Sequence, residues 1–156
     1  MSQSRLAAVR LTRKAVSIAI FNQTRLEYSR LRHLPTAMAK ACETLQAFLT
    51  WIIAQFEIGM IAVEQAERSD QKRIRDLLLV LEQTASDTAI PVWHASKLQV
   101  IGSYAEPAPR TRIELREIAG RIWPMLSIKD KHPLDLEAAA LGLYVQVERL
   151  LSTPAQ

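Results

Sequence analysis

Acidic residues are missing from the first 26 positions of this chain, although 16 Asp and Glu residues occur in the whole sequence. Residues 1–33 carry seven basic side chains and one acid, Glu27. The gap excludes any carboxylate ligand or catalytic acid from the N-terminal elements. An excess of basic charge is compatible with binding to phosphate backbones, and the alternative is a solvated basic face without a partner.

Cysteine and long apolar runs are also scarce. Cys42 is the one cysteine, which excludes an intrachain disulfide and fits a reducing, cytoplasmic compartment. No Cys and His spacing matches a zinc site. No apolar run approaches the ~20 residues that span a bilayer, and the basic N-terminus lacks the features of a secretory signal. We therefore expect a cytoplasmic protein without a membrane segment.

The chain is long enough to bury a substantial core, and 49% of its 156 residues are hydrophobic. No internal repeat or low-complexity tract interrupts it. We predict a single domain over residues 1–156.

Periodicity predicts five strands and five helices. The strands lie at 6–11, 15–21, 25–34, 59–64 and 90–94. The helices lie at 37–56, around Ile74 to Leu81, and at 96–101, 111–122 and 135–151, with Thr36 as the N-cap of the first.

Helical spacing also predicts which side chains face the core. In the helix at 111–122, Ile113, Ile118 and Ile122 are expected inside, and the arginines in solvent. The last helix is expected to bury Leu136, Ala140, Leu143, Tyr144, Val147 and Leu151. Trp51, Trp93 and Trp123 are all expected in the core.

The stretch at 59–64 is a short apolar run that ends in a carboxylate, Glu64. A strand of this kind between two amphipathic helices is typically buried on both faces. Ligands bind outside the carboxyl ends of strands in open α/β sheets, so Glu64 is a candidate site residue. The alternative is that Glu64 begins a solvated loop.

The order of elements is β-β-β-α-β-α-β-α-α-α. It predicts an α/β fold in which an antiparallel meander precedes a βαβαβ portion. The result is a five-stranded mixed sheet with helices on both faces, which resembles the ribonuclease H-like fold.

Within that fold the chain resembles the RuvC-type Holliday-junction resolvases over nearly its whole length. The segments that carry the resemblance are AVRLTRKAVSIAIFNQTRLEY, LQAFLTWIIAQFEIGMIAVEQ, IPVWHASKLQVIGSYAEPAPRTRIELREIAGRI and HPLDLEAAALGLY. The resemblance implies a DNA recombination and repair nuclease that cuts phosphodiester bonds with two divalent ions held by carboxylates. It also implies that one carboxylate on the first strand bridges the two metals.

The sequence departs from that pattern at the bridging acid, because Arg10 stands where the family has aspartate. Glu64 matches the second acid, and Glu137 or Asp135 matches an acid of the last helix. We therefore expect a degenerate, non-catalytic member without a cofactor. In it Arg10 replaces the metal ions by pairing with Glu64 and Glu137, because clustered carboxylates without a cation would repel one another.

The expected function is binding of branched or duplex DNA by a homodimer, or by a subunit beside an active nuclease. By the resemblance, basic residues on elements around the substrate cleft would contact nucleic acid: Arg10, Arg13, Lys14, Lys97, Arg110 and Arg112.

Two alternatives stay open. One is an active, Mg²⁺- or Mn²⁺-dependent, structure-selective endonuclease whose rearranged site uses Glu64, Asp135 and Glu137, with Asp130 or His132. The other is a scaffold that kept the fold for protein contact alone.

Overall fold

The protein was analysed as a computed structural model that describes residues 4–66, 71–104, 111–126 and 132–152. In chain order the elements are β1 (Arg5–Leu11), β2 (Ala15–Asn22), β3 (Arg25–His33), α1 (Met38–Phe56), β4 (Ile58–Glu64), α2 (Lys72–Asp87), β5 (Val92–Ala95), α3 (Lys97–Gly102), α4 (Arg112–Ile122), a 3-10 turn (Pro124–Leu126) and α5 (Pro133–Ser152). The predicted element order is confirmed. None of these helices is long and apolar enough to cross a membrane.

The five strands form one mixed sheet in the order β3-β2-β1-β4-β5. The pairs β1–β2 and β2–β3 are antiparallel, whereas β1–β4 and β4–β5 are parallel. This is the predicted ribonuclease H-like arrangement. Because β1, β4 and β5 are parallel, their carboxyl ends meet at one edge of the sheet, where side chains from different strands can form a site.

Helices cover both faces of the sheet, as predicted. Side chains alternate along a strand, so Ala7 and Val9 of β1 pack against α1 and α2 on what we term the α1–α2 face. Leu6 and Ala8 pack on the other side against α4 and α5, on the α4–α5 face. Each face has its own buried cluster, and the sheet separates them.

On the α1–α2 face the helical pattern in the sequence is a reliable guide. The apolar residues at helical spacing are all buried or half-buried, namely Met38, Ala41, Leu45, Phe48, Leu49, Ile52 and Phe56 of α1 and Ile74, Leu77, Leu78 and Leu81 of α2. Trp51 does not belong to this stripe, because it lies on the outer side of α1 with 42% of its surface exposed. The prediction that Trp51 belongs to the core is wrong.

Two predicted boundaries also change. Thr36 does not cap α1: the N-cap is Ala37, without a side-chain hydrogen bond. The carbonyl of Thr36 instead accepts a hydrogen bond from Arg73 Nη1 at 2.8 Å. Strand β5 begins after Pro91, because proline has no N–H to donate to the ladder.

On the α4–α5 face the predicted apolar stripe of α5 is correct at Leu136, Ala140, Leu143 and Tyr144 and wrong at its last two positions. Val147 and Leu151 are exposed, and the buried side includes a run of small residues, among them Ala138, Ala139 and Gly142. The reason is close approach. A Cβ at position 142 would lie 2.3 Å from Phe21 Cε2, so only glycine lets α5 sit this near to β2.

Candidate functional site

Three neighbouring strands present polar side chains at one end of the α4–α5 face. Arg10 on β1 stands opposite Ser17 on β2 in the antiparallel register. The parallel register pairs Val9 with Val63, which brings Glu64 at the tip of β4 beside Arg10. Glu64 is buried, with a side chain 5% exposed, so it does not begin a solvated loop.

Helix α5 adds two acids above these strands. Asp135 and Glu137 are each 3% exposed, although they lie near the N-terminus of the helix. The helix dipole favours acids there, but the dipole alone does not compensate buried carboxylates, which need charged or hydrogen-bonding partners. Asp135 accepts a short hydrogen bond from the Ser17 hydroxyl. Glu137 is held by arginines instead.

Arg10 lies between the two buried glutamates. Its Nε is 3.5 Å from Glu64 Oε2, and its Nη2 is 3.4 Å from Glu137 Oε1. The Arg10 side chain is 14% exposed, so these ion pairs are shielded from water and salt. The expected pairing of Arg10 with both acids is present.

Helix α4 supplies two further arginines to the site, Arg112 and Arg116. The prediction that the arginines of this helix face solvent is wrong for these two. Arg112 donates from both Nη atoms to the two carboxylate oxygens of Glu64, and its Nη1 also lies 3.3 Å from Glu137 Oε1. Arg116 donates to Glu137 Oε2 from Nη2 at 3.1 Å and from Nε at 3.3 Å. The predicted inward residue Ile113 is 65% exposed.

The reason for this rotation of α4 is electrostatic. Burying unpaired glutamates is costly, so the helix turns its arginines inward together with Leu115 and Ala119. Positions 112, 115, 116 and 119 form one helical stripe, which is half basic and half apolar.

These five side chains form what we call the Arg–Glu cluster: Arg10, Glu64, Arg112, Arg116 and Glu137. Three guanidinium groups face two carboxylates, so the formal charge of the cluster is +1. Exposure of the arginine side chains rises from 14% at Arg10 to 24% at Arg112 and 35% at Arg116. The cluster is buried beside the strands and opens toward solvent along α4.

The residues present do not fit a divalent metal. Mg²⁺ requires several oxygen ligands around one point. All four carboxylate oxygens of Glu64 and Glu137 already face guanidinium groups. In the part of the chain that the structure describes, no three His, Cys, Asp or Glu side chains are grouped so as to hold a metal ion. A guanidinium repels cations and cannot ligate them.

A cleft of about 190 Å³ opens beside the cluster, between the ends of β1 and β4 and the first turns of α2. Arg10, Thr12, Glu64 and Arg112 are among its lining residues. Arg13 and Lys14 follow Thr12 in the exposed turn that ends β1. The site thus has a neutralised acidic interior and a basic turn directly beyond its lining.

The remaining predicted site residues are distributed unevenly. Lys97 is half-buried at the start of α3 and does not line the cleft. His132 accepts a hydrogen bond on Nδ1 from the backbone N–H of Leu134, so this nitrogen is used at the start of α5. Arg110 and Asp130 lie outside the described residues.

Sequence reasoning missed Arg116 and Ser17 as partners of the buried acids. A signal for Arg116 was available, because Arg112 and Arg116 are one helical turn apart on a helix that the topology brings over the acids. Ser17 gave no such signal, because an isolated serine in an apolar strand matches no motif.

The sequence matches no family model and no curated protein, whereas the structure matches several solved ones. The Thermus thermophilus RuvC structure in complex with a Holliday junction substrate superposes with a TM-score of 0.75 and 14% identity, over 95% of this chain and 96% of that one. The Fowlpox virus resolvase, in a Holliday junction DNA complex, gives a TM-score of 0.61 at 13% identity, over 94% and 99% of the chains.

The yeast mitochondrial Holliday junction resolvase gives a TM-score of 0.63 at 12% identity, over 92% of this chain and 76% of that one. The fold is that of the RuvC-type resolvases. A RuvC-type fold supports many local chemistries, and at this identity the likeness does not carry activity or ligand across. What the site does must be argued from its own residues.

Proposed function

We propose that the protein is a RuvC-like nucleic-acid-binding protein whose catalytic centre has been replaced by the Arg–Glu cluster. It binds branched or duplex DNA and does not cut it by a two-metal mechanism. The observation that carries this proposal is the pairing of Arg10, Arg112 and Arg116 with the carboxylates that the family resemblance assigns to metal binding.

Arginine can take the electrostatic place of the ions but not their chemistry. Two buried, charged carboxylates side by side repel one another unless a cation lies between them. Guanidinium forks neutralise them with fixed geometry. A guanidinium has no coordination site that could accept a lone pair from a phosphate oxygen, and it does not generate hydroxide from bound water. The cluster therefore preserves the shape of the site while removing the step that cleaves DNA.

Phosphate contacts in this proposal come from the exposed turn beside the cleft. Arg13 and Lys14 have no ion-pair partner among the described residues, so they can meet a phosphate backbone without breaking an internal pair. Lys97 and Arg110 are further proposed phosphate contacts on the ground of the family resemblance alone. Such contacts release counterions, so affinity falls steeply with salt. The protein acts as a single domain, and a second copy or a partner nuclease subunit would complete the assembly.

The test combines binding and cleavage on the same substrates. Fluorescence anisotropy with a labelled four-way junction and a matched duplex should show salt-dependent binding. The double variant Arg13→Gln with Lys14→Gln should weaken DNA binding about 10-fold or more at low salt, because it removes two phosphate contacts. Each lost contact should also reduce the slope of log K against log salt concentration by about 1. Arg121→Gln, an exposed arginine at the far end of α4, is the matched control and should bind normally.

Cleavage is then assayed with Mg²⁺ and with Mn²⁺. The proposal expects intact DNA. Metal-dependent cutting that disappears in Glu64→Gln would show an active nuclease with a rearranged site. Absence of binding to any DNA would leave the scaffold alternative and overturn the proposal.

A further inference from the structure

A second surface combines arginines with aromatic rings on the opposite face of the sheet from the Arg–Glu cluster. Arg30 and Arg32 on β3 pair with Ile18 and Val16 of β2, whose side chains belong to the α1–α2 face. Strand β3 is an edge of the sheet, and α1 runs beside this side of it. We call the surface the Arg–Trp platform and define it as Tyr28, Arg30, Arg32, Phe48, Trp51 and Phe56.

The platform is held together by a closed series of contacts. The Arg30 guanidinium carbon lies 5.9 Å from the Trp51 ring centroid. Trp51 meets Phe56 edge-on, with the ring centroids 6.1 Å apart, and Phe56 lies 4.8 Å from Tyr28. Arg30 Nη1 donates to the Tyr28 hydroxyl at 3.5 Å, which completes the series. The Arg32 guanidinium carbon lies 5.6 Å from the Phe48 ring centroid.

The indole of Trp51 lies outside the buried cluster of the α1–α2 face. Trp51 is 42% exposed, and the neighbouring surface of α1 is a shallow groove lined by Ala47, Thr50 and Ala54 as well. Charges on an edge strand discourage edge-to-edge pairing, which accounts for Arg30 and Arg32 but not for a large aromatic ring facing water. A rigid aromatic flanked by arginines is the arrangement that stacks nucleobases and holds phosphates.

We propose that the Arg–Trp platform binds single-stranded nucleic acid. A base stacks on the exposed part of Trp51, while Arg30 and Arg32 contact the flanking phosphates. This goes beyond the proposed function, because the platform lies at the β3 edge of the sheet, shares no lining residue with the cleft at the ends of β1 and β4, and does not need the cleft to bind. A branched substrate with an unpaired segment could be held at both places.

Single-stranded nucleic acid fits the platform better than an acidic peptide does. Both partners would satisfy the arginines by charge, but only a base uses the indole as a stacking surface. Glu43 lines the same shallow groove and would repel both of these polyanions, so it does not discriminate between them. The exposed ring therefore decides between the two.

The test measures binding of a fluorescein-labelled oligo(dT) strand to the full chain by anisotropy. Trp51→Leu should raise the Kd about 5- to 100-fold, because it removes a stacking contact. Trp51→Phe keeps an aromatic ring and should recover most of the affinity. Arg30→Gln should weaken binding a few-fold and lower the salt slope by about 0.7. Arg121→Gln is the charge-matched control and should match the wild type.

Tryptophan emission gives a second readout, since quenching by the strand should be present in the wild type and lost in Trp51→Phe. The inference is overturned if Trp51→Leu binds oligo(dT) as tightly as the wild type. A second result would also overturn it. If a polyglutamate peptide displaces the strand equally well from the Trp51→Phe and Trp51→Leu variants, the aromatic ring makes no difference to binding. The four-way junction titrated in parallel separates the two proposals: the Arg13 and Lys14 double variant should lose the junction and keep oligo(dT).

Discussion

The two faces of the sheet bury different kinds of side chain. The α1–α2 face is closed by large aliphatic and aromatic side chains, including Leu45, Leu49, Ile52, Leu77 and Leu81, all of which are fully buried. The α4–α5 face combines an apolar cluster rich in alanine with the five charged side chains of the Arg–Glu cluster. One face is a hydrophobic core, whereas the other also buries charge.

This difference indicates that the α1–α2 face contributes mainly to folding stability and the α4–α5 face to the candidate site. Burial of aliphatic side chains contributes roughly 1.5–3 kcal/mol per fully buried residue, so the α1–α2 face supplies much of the folding free energy. A buried ion cluster is a poor source of net stability, because desolvation offsets much of the Coulomb attraction. The Arg–Glu cluster lies at the carboxyl ends of β1 and β4, where a functional site is expected, and this position explains the cluster better than stability does.

The largest expected effect comes from breaking the charged face. Glu137→Ala removes a carboxylate that three arginines share, so it leaves buried positive charges without compensation. We expect a loss of about 4 kcal/mol in the free energy of unfolding, measured by urea denaturation. Glu117→Ala, on the exposed side of α4, is the control and should change stability by less than about 0.5 kcal/mol. Equal, small losses in both variants would mean that the cluster is only a surface network.

The apolar face should respond almost as strongly but differently. Leu49→Ala creates a cavity between α1 and the sheet, and we expect a loss of about 3 kcal/mol. Because no charge is involved, this loss should be the same at low and high salt. DNA binding should be unchanged under conditions in which the variant is folded. A selective loss of DNA binding by the folded variant would contradict the division between the two faces.

A smaller, pH-dependent effect is expected at the edge of the α4–α5 face. Burial raises the pKa of Tyr104 well above its ordinary value, and its hydroxyl donates to the carbonyl of Ala140 on α5. Above about pH 10 the unfolded chain loses this proton first, so stability falls as pH rises, by about 1 kcal/mol per pH unit. Tyr104→Phe should lose about 1 kcal/mol at pH 8 and show a shallower alkaline decline. A decline as steep as that of the wild type would exclude Tyr104 as its source.

How far the sequence predicts the structure follows the same division. The α1 and α2 patterns were correct because a wide apolar stripe has one stable orientation on a sheet. The α4 and α5 patterns were correct only in part, because large apolar side chains were assumed to point inward and four of them are exposed: Ile113, Ile122, Val147 and Leu151. In α5 the close approach to Phe21 selects Gly142 and alanines, and in α4 the buried Glu64 and Glu137 select Arg112 and Arg116.

The candidate site was partly accessible from sequence for a related reason. Arg10, Glu64 and Glu137 could be placed together because strand register and family resemblance point to the same end of the sheet. The arginines of α4 could not, since no sequence pattern gives the rotation of a helix about its own axis when apolar residues occur on two sides. The exposure of Trp51 was missed for a different reason: a large aromatic residue was assumed to belong to the core, although it lies outside the buried stripe of α1.

The central claim is that arginines occupy the place of metal ions. The most direct test is a calorimetric titration of Mn²⁺ into the wild-type protein, Arg10→Asp, and Arg10→Asp combined with Arg112→Ala. The second substitution frees Glu64 from its bidentate partner. Our account predicts no saturable binding by the wild type and binding by the double variant, with Arg121→Asp as a control that stays silent. Tight binding of two ions by the wild type would contradict the account and require the protein to be assayed as a resolvase.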